Sequence, residues 1–259
     1  MRRTATVALV ATTVFVLAGC ASSAEPSAAQ SDPALTGTVT VFAAASLTES
    51  FSEIEKQFEE RNPGVDVVLN LGGSSTLAEQ IVQGAPADVF AAANPQTMKT
   101  VVDASLATEQ TIFVTNTLEI VVPAGNPGGV TGLADLARPE LAIALCAQEV
   151  PCGAATEQAF AAADLSAAPD TLEQDVKAVL TKVRLGEVDA GIVYRTDVKA
   201  AGGDVVGIPF DEAADVVNDY PISTLTDAPN PTVAKAFVEF VLSDAARSVF
   251  DEAGFGVPQ

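Results

Sequence analysis

The sequence predicts an α/β protein, in which short buried strands alternate with amphipathic helices. Apolar runs of strand length recur along the body of the chain, as the buried strands of parallel sheets require. Between them lie segments whose apolar residues recur at intervals of three and four, which is the spacing of one helix face. Gly, Pro and Asn residues separate the two kinds of segment. This alternation favours parallel sheets that helices cover on both faces.

The first part of the body begins with a predicted strand at residues 38–42. The helix after it carries apolar residues at intervals of 4, 3 and 4, namely Leu47, Phe51, Ile54 and Phe58. Asn62-Pro63-Gly64 ends this helix. Asn94-Pro95 is typical of an N-cap followed by Pro at the first helical position. Between these two turns we predict a strand at 65–69, a short helix near 76–83 and a strand at 88–92.

The second part of the body continues the alternation. Asn230-Pro231 opens a final predicted helix, which carries Val233, Phe237, Phe240 and Val241 inward. The pattern predicts an α/β fold without specifying how the chain divides into domains. Before the final helix we predict buried strands at 118–122, 141–145 and 191–194, with helices near 153–163 and 176–185.

The first twenty residues predict export. A short basic start precedes an uncharged, mostly apolar run at residues 4–16. Such a run is a secretory signal and is too short to span a membrane. The sequence Leu17-Ala18-Gly19-Cys20 resembles the lipobox of bacterial lipoproteins, so we expect residues 1–19 to be a signal peptide and Cys20 to carry lipid. The alternative is an ordinary signal peptide with an incidental cysteine.

Residues 20–37 predict a flexible tether behind this lipid anchor. They are rich in Ala, Ser and Pro and contain few large apolar residues, so they cannot bury enough surface to offset the entropy of ordering. A coil of this length spans on the order of 20 Å. We therefore expect a globular body that is anchored to the outer face of the cytoplasmic membrane.

Two cysteines remain in the body, Cys146 and Cys152. In an oxidising compartment such a pair is expected to form a disulfide, and the alternative is two free buried thiols. Two sulfurs make a poor metal site, and the chain has no His to add the commonest metal ligand. We therefore expect no resident metal and no cofactor.

The charge of the chain argues against nucleic acid as a partner. The net charge is −21, and removal of the signal peptide with its two arginines would make it −23. Phosphate neutralisation needs clustered Lys and Arg, which this composition does not provide. An acidic surface also repels anions at long range, so an anion site here would have to work through short-range hydrogen bonds.

No catalytic motif is evident. Without His the chain has no Ser-His-Asp or Cys-His pair. Gly72-Gly73-Ser74-Ser75 is not the G-x-S-x-G elbow of serine hydrolases, and no P-loop or G-x-G-x-x-G motif occurs. We therefore expect that the protein is not an enzyme.

Small and hydroxyl-bearing turns occur where predicted strands give way to helices. The first N–H groups of a helix are unpaired and carry the positive end of its dipole, so such turns bind anions. Tyr194 ends a strand and offers a phenolic donor. The four turns are residues 43–49, 72–77 and 150–153, and the helix start at Asp175-Val176.

Each of these features also has a purely structural interpretation. Ser46 with Glu49, and Thr76 with Glu79, fit the capping box S/T-x-x-E. Asp175 is most simply an N-cap, and a tyrosine such as Tyr194 often packs at a strand end. A hydroxyl can accept from a backbone N–H while it donates its proton elsewhere, so capping does not preclude ligand binding.

Several segments resemble the periplasmic molybdate-binding proteins in both order and spacing. The resemblance covers roughly residues 38–257. It is carried by residues 41–47 (VFAAASL), 74–78 (SSTLA), 83–88 (QGAPAD), 191–194 (GIVY) and 253–256 (AGFG).

This resemblance implies a type II periplasmic-binding fold, with two α/β domains joined by crossing strands and a ligand cleft between them. The first domain would comprise residues 38–118 and 222–259, and the second would comprise residues 119–221. The implied partners are the oxyanion, a membrane permease and its cytoplasmic ATPase. The protein is expected to act as a monomer.

The resemblance also implies a ligand set of neutral donors for a tetrahedral dianion, either molybdate or tungstate. Cys152 stands where other members usually have a small residue such as Ala, but the implied donor there is the backbone. A disulfide with Cys146 would hold that N–H in place. The implied ligands are the hydroxyl and backbone groups of Ser46 and Ser74, the backbone N–H groups of Cys152 and Val176, and the hydroxyl of Tyr194.

Three alternatives to molybdate remain open at the level of sequence. The first is a binding protein for sulfate or another small oxyanion. The second is an exported serine hydrolase that uses Ser46 or Ser74, which would need a base beside the serine. The third is a structural or adhesive lipoprotein without a small ligand.

Overall fold

The computed structural model describes residues 34–258, and nine strands lie within this range. Every strand predicted from the sequence is present. Most bounds shift by a few residues, and the strand predicted at 118–122 begins seven residues earlier, at Thr111. The strands are β1 (Gly37–Ala44), β2 (Val65–Gly72), β3 (Val89–Ala91), β4 (Thr111–Pro123), β5 (Ile143–Cys146), β6 (Thr171–Glu173), β7 (Ala190–Tyr194), β8 (Val205–Ile208) and β9 (Val217–Thr224).

Eight α-helices lie in the same part of the chain. Each predicted helix is present, and four 3₁₀ turns accompany them, of which Ala45–Leu47 matters for the site. The helices are α1 (Thr48–Arg61), α2 (Ser74–Val82), α3 (Pro95–Asp103), α4 (Pro151–Ala162), α5 (Val176–Arg184), α6 (Arg195–Ala201), α7 (Pro231–Val241) and α8 (Asp244–Ala253).

The strands pair in the order β2-β1-β3-β9-β4-β7-β5-β6, and β8 pairs with β4. The pairs β1–β2, β1–β3, β5–β6 and β5–β7 are parallel, whereas β3–β9, β4–β9, β4–β7 and β4–β8 are antiparallel. The expectation of parallel sheets is therefore wrong for the middle of the molecule. The reason is that β4 and β9 run against their neighbours, and antiparallel pairing needs no helical crossover.

Strand β4 belongs to two sheets. Residues 111–117 pair with β9 in the sheet that contains β1, β2 and β3, and residues 118–123 pair with β7 and β8 in the other sheet. The first sheet packs against an aromatic cluster in which Phe51 lies 6.1–6.3 Å from Phe113, Phe237 and Phe250, measured between ring centroids. The second sheet has its own aliphatic core. Residues 34–258 nevertheless lie in one compact unit.

Five elements of the structure were not predicted as strands or helices. They are β6, β8, β9, α6 and α8. Strand β9 contains Asn218, Asp219 and Pro221, which weaken a strand pattern, and β6 and β8 are short and partly exposed. Because α8 follows α7, the helix that begins at Pro231 is not the final one. The return into the first sheet begins at Val217, five residues before the expected domain boundary at residue 222.

The predicted signal peptide, Cys20 and most of the tether lie outside the described residues. Within residues 34–258, no helix combines the length and the apolar character needed to cross a bilayer. Strand β1 begins at Gly37, so the globular body starts where the predicted tether ends.

Candidate functional site

The predicted ligand residues meet at one small cavity between the two sheets. Its volume is about 20 Å³, measured for the centre of a water-sized sphere. The carboxyl ends of β1, β2 and β7 supply part of its wall, and the starts of α2, α4 and α5 supply the rest. All five predicted ligands are among its lining residues, which are Ala44, Ala45, Ser46, Gly72, Gly73, Ser74, Ala93, Val150, Pro151, Cys152, Gln174, Asp175, Val176 and Tyr194.

Three helices present their N-termini to this cavity. The first N–H groups of a helix precede its first internal hydrogen bond, so they remain available to a ligand. In α4 the first internal bond runs from Ala154 N–H to the Val150 carbonyl, and Pro151 has no N–H. The available donors there are therefore the N–H groups of Cys152 and Gly153.

The same reasoning applies to α2 and α5. In α2 the first internal bond is donated by Leu77 to Gly73, which leaves the N–H of Ser74 free of an intrahelical partner. In α5 the Asp175 side chain caps Ala178 N–H at 2.9 Å, as expected from the sequence. The N–H of Val176 precedes this cap and so has no partner within the helix, and Val176 is one of the residues that line the cavity.

The two predicted serines are both buried, and neither one caps a helix through its hydroxyl. Ser46 Oγ lies 2.8 Å from Tyr220 Oη, and Ser74 Oγ accepts from Ala93 N–H at 3.0 Å. Each hydroxyl keeps bonding capacity for a further group. Both serines therefore line the cavity with a hydroxyl that is anchored on one side.

Both capping-box interpretations are wrong. Helix α1 begins after Leu47, which makes no side-chain cap, so Ser46 lies one residue too early for that role. The Glu49 carboxylate instead binds Lys177. Thr76 is the third residue of α2, whose N-cap is Gly73, so it cannot cap the helix. Ser46 is thus free of the capping role that competed with ligand binding.

Tyr194 closes the cavity at the end of β7. Its side chain is 1% exposed, and its hydroxyl lies near Tyr220 and Asn218 without a well-formed hydrogen bond to either or to any other described residue. Burial raises the pKa of Tyr194 well above 10.0, and Tyr220 and Asp197 raise it further. The phenol therefore keeps its proton at neutral pH, and a buried donor without a partner is costly unless a ligand accepts from it.

A cluster of charged groups lies beside the start of α5. Lys177 Nζ lies 2.7 Å from Glu49 Oε1 and 3.1 Å from Asp197 Oδ1. Burial raises the pKa of Asp197 to about 6, although the Lys177 ammonium opposes this rise. Asp197 Oδ2 also accepts from the N–H of Tyr194 at 3.1 Å. The Lys177 ammonium is therefore balanced by carboxylates. Asp175 is the one charged residue among those that line the cavity, and one of its carboxylate oxygens caps α5.

A disulfide closes the loop that precedes α4. Cys146 and Cys152 are joined, and their Cα atoms are 5.7 Å apart. Gly153 packs against this loop so closely that a Cβ atom would lie 1.8 Å from the Ala147 carbonyl oxygen. The N–H groups at the start of α4 are therefore held by a covalent link and by close backbone packing.

The sequence did not reveal the residues that support the serines. Tyr220 and Ala93 contact Ser46 and Ser74, and they are 174 and 19 residues away in the chain. Of these two supporting residues, only Tyr220 could have been noticed in the sequence, because the chain has just two tyrosines. Within residues 34–258, no group of three or more His, Cys, Asp or Glu side chains is arranged to hold a metal ion.

Comparison with known proteins identifies the family. A profile described as bacterial extracellular solute-binding protein matches residues 39–256. The molybdate-binding protein ModA of Mycobacterium tuberculosis is 42% identical over 243 residues, and the match covers 93% of each chain. YvgL of Bacillus subtilis, a proposed ABC transporter substrate-binding lipoprotein, is 34% identical over 255 residues, which cover 95% of this chain and 96% of that one.

The same comparison extends to solved structures. The periplasmic molybdate-binding protein of Azotobacter vinelandii superposes with a TM-score of 0.75 over 85% of this chain and 100% of that chain, at 20% identity. At this identity the likeness concerns the fold, and it confirms the type II α/β fold expected from the sequence. With a profile match along the body and full-length relatives above 30% identity, the chain belongs to the bacterial extracellular solute-binding protein family.

Proposed function

We propose that this protein captures molybdate outside the cytoplasm and delivers it to an ABC permease with a cytoplasmic ATPase. One observation carries the proposal: five predicted neutral donors line a single small cavity. The full-length likeness to a molybdate-binding protein supports the same ligand. Delivery to a permease follows from the solute-binding family to which the chain belongs.

The donor set suits a fully deprotonated tetrahedral oxyanion. Such an anion has only acceptors, so it can pair with every hydroxyl and N–H that faces it. An oxyanion that carries a proton would also need an acceptor, and it loses affinity where none is offered. Neutral donors at short range also explain how a chain of net charge −21 can bind an anion.

Tungstate is proposed as a second ligand, because it matches molybdate in charge, shape and size. Sulfate has the same charge and is smaller, so hydrogen-bond chemistry alone does not reject it. Rejection would depend on how closely the donors surround the larger anion. Sulfate therefore remains the main alternative ligand.

Titration calorimetry of the chain from residue 21 onward tests the ligand. The expected result is one-to-one binding of molybdate and tungstate, with sulfate and phosphate far weaker. A folded, ligand-free sample that binds neither molybdate nor tungstate would contradict the proposal. Binding of sulfate alone would support an anion site but would identify sulfate, and not molybdate, as its ligand.

The cellular setting is part of the proposal. We propose a monomer with a lipidated Cys20, held at the outer face of the cytoplasmic membrane by the tether at residues 20–37. We also propose that the two sheets are the cores of two domains that close over the ligand. Metabolic labelling with a palmitate analogue should mark the wild type and leave Cys20→Ala unlabelled.

A catalytic role is not proposed. The hydrogen bonds of Ser46 and Ser74 involve a phenol and a backbone N–H, so neither hydroxyl is bonded to a general base. Asp175 also lines the cavity, but one of its carboxylate oxygens caps α5. Hydrolysis of a generic ester that is lost in Ser74→Ala would revive the serine hydrolase alternative.

A further inference from the structure

Tyr220 contacts Ser46 and is not among the residues that line the cavity. Its side chain is fully buried, and its hydroxyl oxygen is 2.8 Å from Ser46 Oγ. The distance by itself does not tell which of the two oxygens donates. The answer decides whether the Ser46 proton points to Tyr220 or remains for a ligand.

Asn116 determines the direction of this hydrogen bond. Its Oδ1 accepts from the backbone N–H of Thr117 at 3.0 Å, which turns its Nδ2 to the other side. This Nδ2 donates to Thr196 Oγ1 at 2.9 Å and to Tyr220 Oη at 3.5 Å. An amide nitrogen can only donate, so Tyr220 Oη is the acceptor in that contact.

The proton of Tyr220 is then directed to Ser46. A phenol has one proton. The Tyr194 hydroxyl also lies near Tyr220 Oη but makes no well-formed hydrogen bond with it, so Ser46 Oγ at 2.8 Å is the acceptor that remains. Ser46 Oγ thus accepts from Tyr220, and its own proton is left for the cavity. The order of donation is Asn116 to Tyr220 to Ser46.

The second serine is oriented in an equivalent way from the adjacent strand. Ser74 Oγ accepts from the backbone N–H of Ala93, which can only donate, so the Ser74 proton is also left for the cavity. Asn218 Nδ2 donates to the Ala93 carbonyl at 2.9 Å. Asn116 and Asn218 are opposite each other in the β4–β9 pairing, so one cross-strand pair supports both serines.

We propose that Tyr220 and Asn116 are positioning residues that make Ser46 an obligatory hydrogen-bond donor to the oxyanion. This inference rests on the proposed function and extends it to specificity. Tyr220 takes one of the two acceptor positions of Ser46 Oγ and leaves the Ser46 proton for the anion, so Ser46 suits an oxyanion that offers only acceptors better than one that carries a proton. The arrangement therefore favours fully deprotonated molybdate over hydrogen phosphate.

A double-mutant cycle tests whether Tyr220 acts through Ser46. Molybdate and phosphate binding are measured by calorimetry for the wild type, Tyr220→Phe, Ser46→Ala and the double variant. Tyr220→Phe should weaken molybdate binding about tenfold and lower the preference for molybdate over phosphate. In the Ser46→Ala background the same substitution should add less than about twofold, because the two residues act as one unit.

Tyr194→Phe is the matched control. It removes a phenolic hydroxyl that faces the cavity directly, so its loss of affinity should persist in the Ser46→Ala background. Equal losses from Tyr220→Phe in both backgrounds, or no loss in either, would overturn the inference while wild-type binding stands. Absence of molybdate binding by the folded wild type would remove the proposed function, and this inference with it.

Asn116→Asp provides a second test that does not depend on the folding of Tyr220→Phe. Aspartate offers an acceptor to Tyr220 in place of a donor, which would turn the Tyr220 proton away from Ser46. Molybdate affinity should fall about tenfold or more in the wild type and change little further in Ser46→Ala. A loss of equal size in both backgrounds would show a general charge effect and overturn the inference.

Discussion

Two tyrosines beside the cavity have different roles, although they are the same residue type in contact with each other. The rings of Tyr194 and Tyr220 meet edge to face, with centroids 6.0 Å apart, and both are buried. The hydroxyl of Tyr220 bonds to Ser46, whereas that of Tyr194 has no partner in the described part of the chain. The hydrogen-bond state of each hydroxyl therefore distinguishes a supporting residue from a candidate ligand.

Tyr194→Phe should weaken molybdate binding about tenfold to a hundredfold, which is the usual effect of losing a hydrogen bond to a charged group. The melting temperature of the ligand-free protein should be unchanged or slightly higher, because the hydroxyl has no protein partner to lose. Calorimetry and thermal unfolding measure the two effects separately. A variant that loses melting temperature and keeps its affinity would show a structural role for this hydroxyl.

Asp197 should give the stability a recognisable pH dependence. Its pKa is about 6 in the folded protein and its ordinary value is 3.8, so the folded state disfavours the charged form. The unfolding free energy therefore falls as pH rises from about 4 to about 6, and the full cost of about 3 kcal/mol remains above that range. Below the ordinary pKa the group is protonated in both states and contributes nothing.

Comparison with Asp197→Asn isolates this contribution from other titrating groups. The stability of the wild type relative to the variant should increase by about 1 kcal/mol when the pH is lowered from 7 to 5. Denaturant unfolding at both pH values measures it. A wild type that loses stability relative to the variant on acidification would show instead that the Lys177 ion pair dominates over burial.

At the scale of elements, the start of α4 illustrates how a helix N-terminus is held ready for a ligand. The disulfide between Cys146 and Cys152 links the end of β5 to the second residue of α4. Gly153 lies against the closed loop, where a side chain would meet the Ala147 carbonyl. These constraints should reduce the entropy that the donors lose when a ligand binds.

Replacement of both cysteines by Ala should lower the unfolding free energy by about 2 kcal/mol, which is the loop-closure contribution of so short a link. Molybdate affinity should fall several-fold, because the N–H groups of α4 are then less ordered before binding. Thermal unfolding and calorimetry measure both effects, and a reductant should affect the wild type but not the double variant. Unchanged affinity and melting temperature would contradict this role for the disulfide.

At the scale of the whole molecule, the segments on the two sides of the cavity contact each other directly. Ser75 Oγ donates to the Glu149 carbonyl at 2.9 Å, and Lys177 of α5 binds Glu49 of α1 at 2.7 Å. Gly73 lies so near the opposite segment that a Cβ atom would be 2.5 Å from the Gln174 carbonyl oxygen. The cavity is small because these two sides approach each other closely.

Gly73→Ala should therefore weaken molybdate binding about tenfold or more, since overpacking of this kind typically costs 1–3 kcal/mol. The clash lies across the cavity, so it should hinder the approach of the two sides more than the folding of either. Gly203→Ala is the control, because Gly203 does not line the cavity and its Cβ would meet nothing within 4 Å. Equal affinities in the two variants, measured by calorimetry, would show that close approach at Gly73 is not required.

The sequence by itself determined the fold class, the order of most elements and the five candidate ligands. Helical spacing and buried apolar runs are local signals, which is why α1 and β1 could be predicted from neighbouring residues. The ligand set came from a family resemblance, and the structure brings all five residues to one cavity. Strand β9 was missed because its polar residues, Asn218 among them, hide the strand pattern.

Only the tertiary structure decided how those ligands are supported. The contact between Ser46 and Tyr220 joins residues 174 positions apart, and the pairing of Asn116 with Asn218 depends on the register of β4 and β9. Local sequence predicted a capping role for Ser46, which the structure replaces with a bond to a buried phenol. The direction of each hydrogen bond depends on which donors and acceptors are in contact. Those contacts are determined by strand register and packing, which local sequence does not specify.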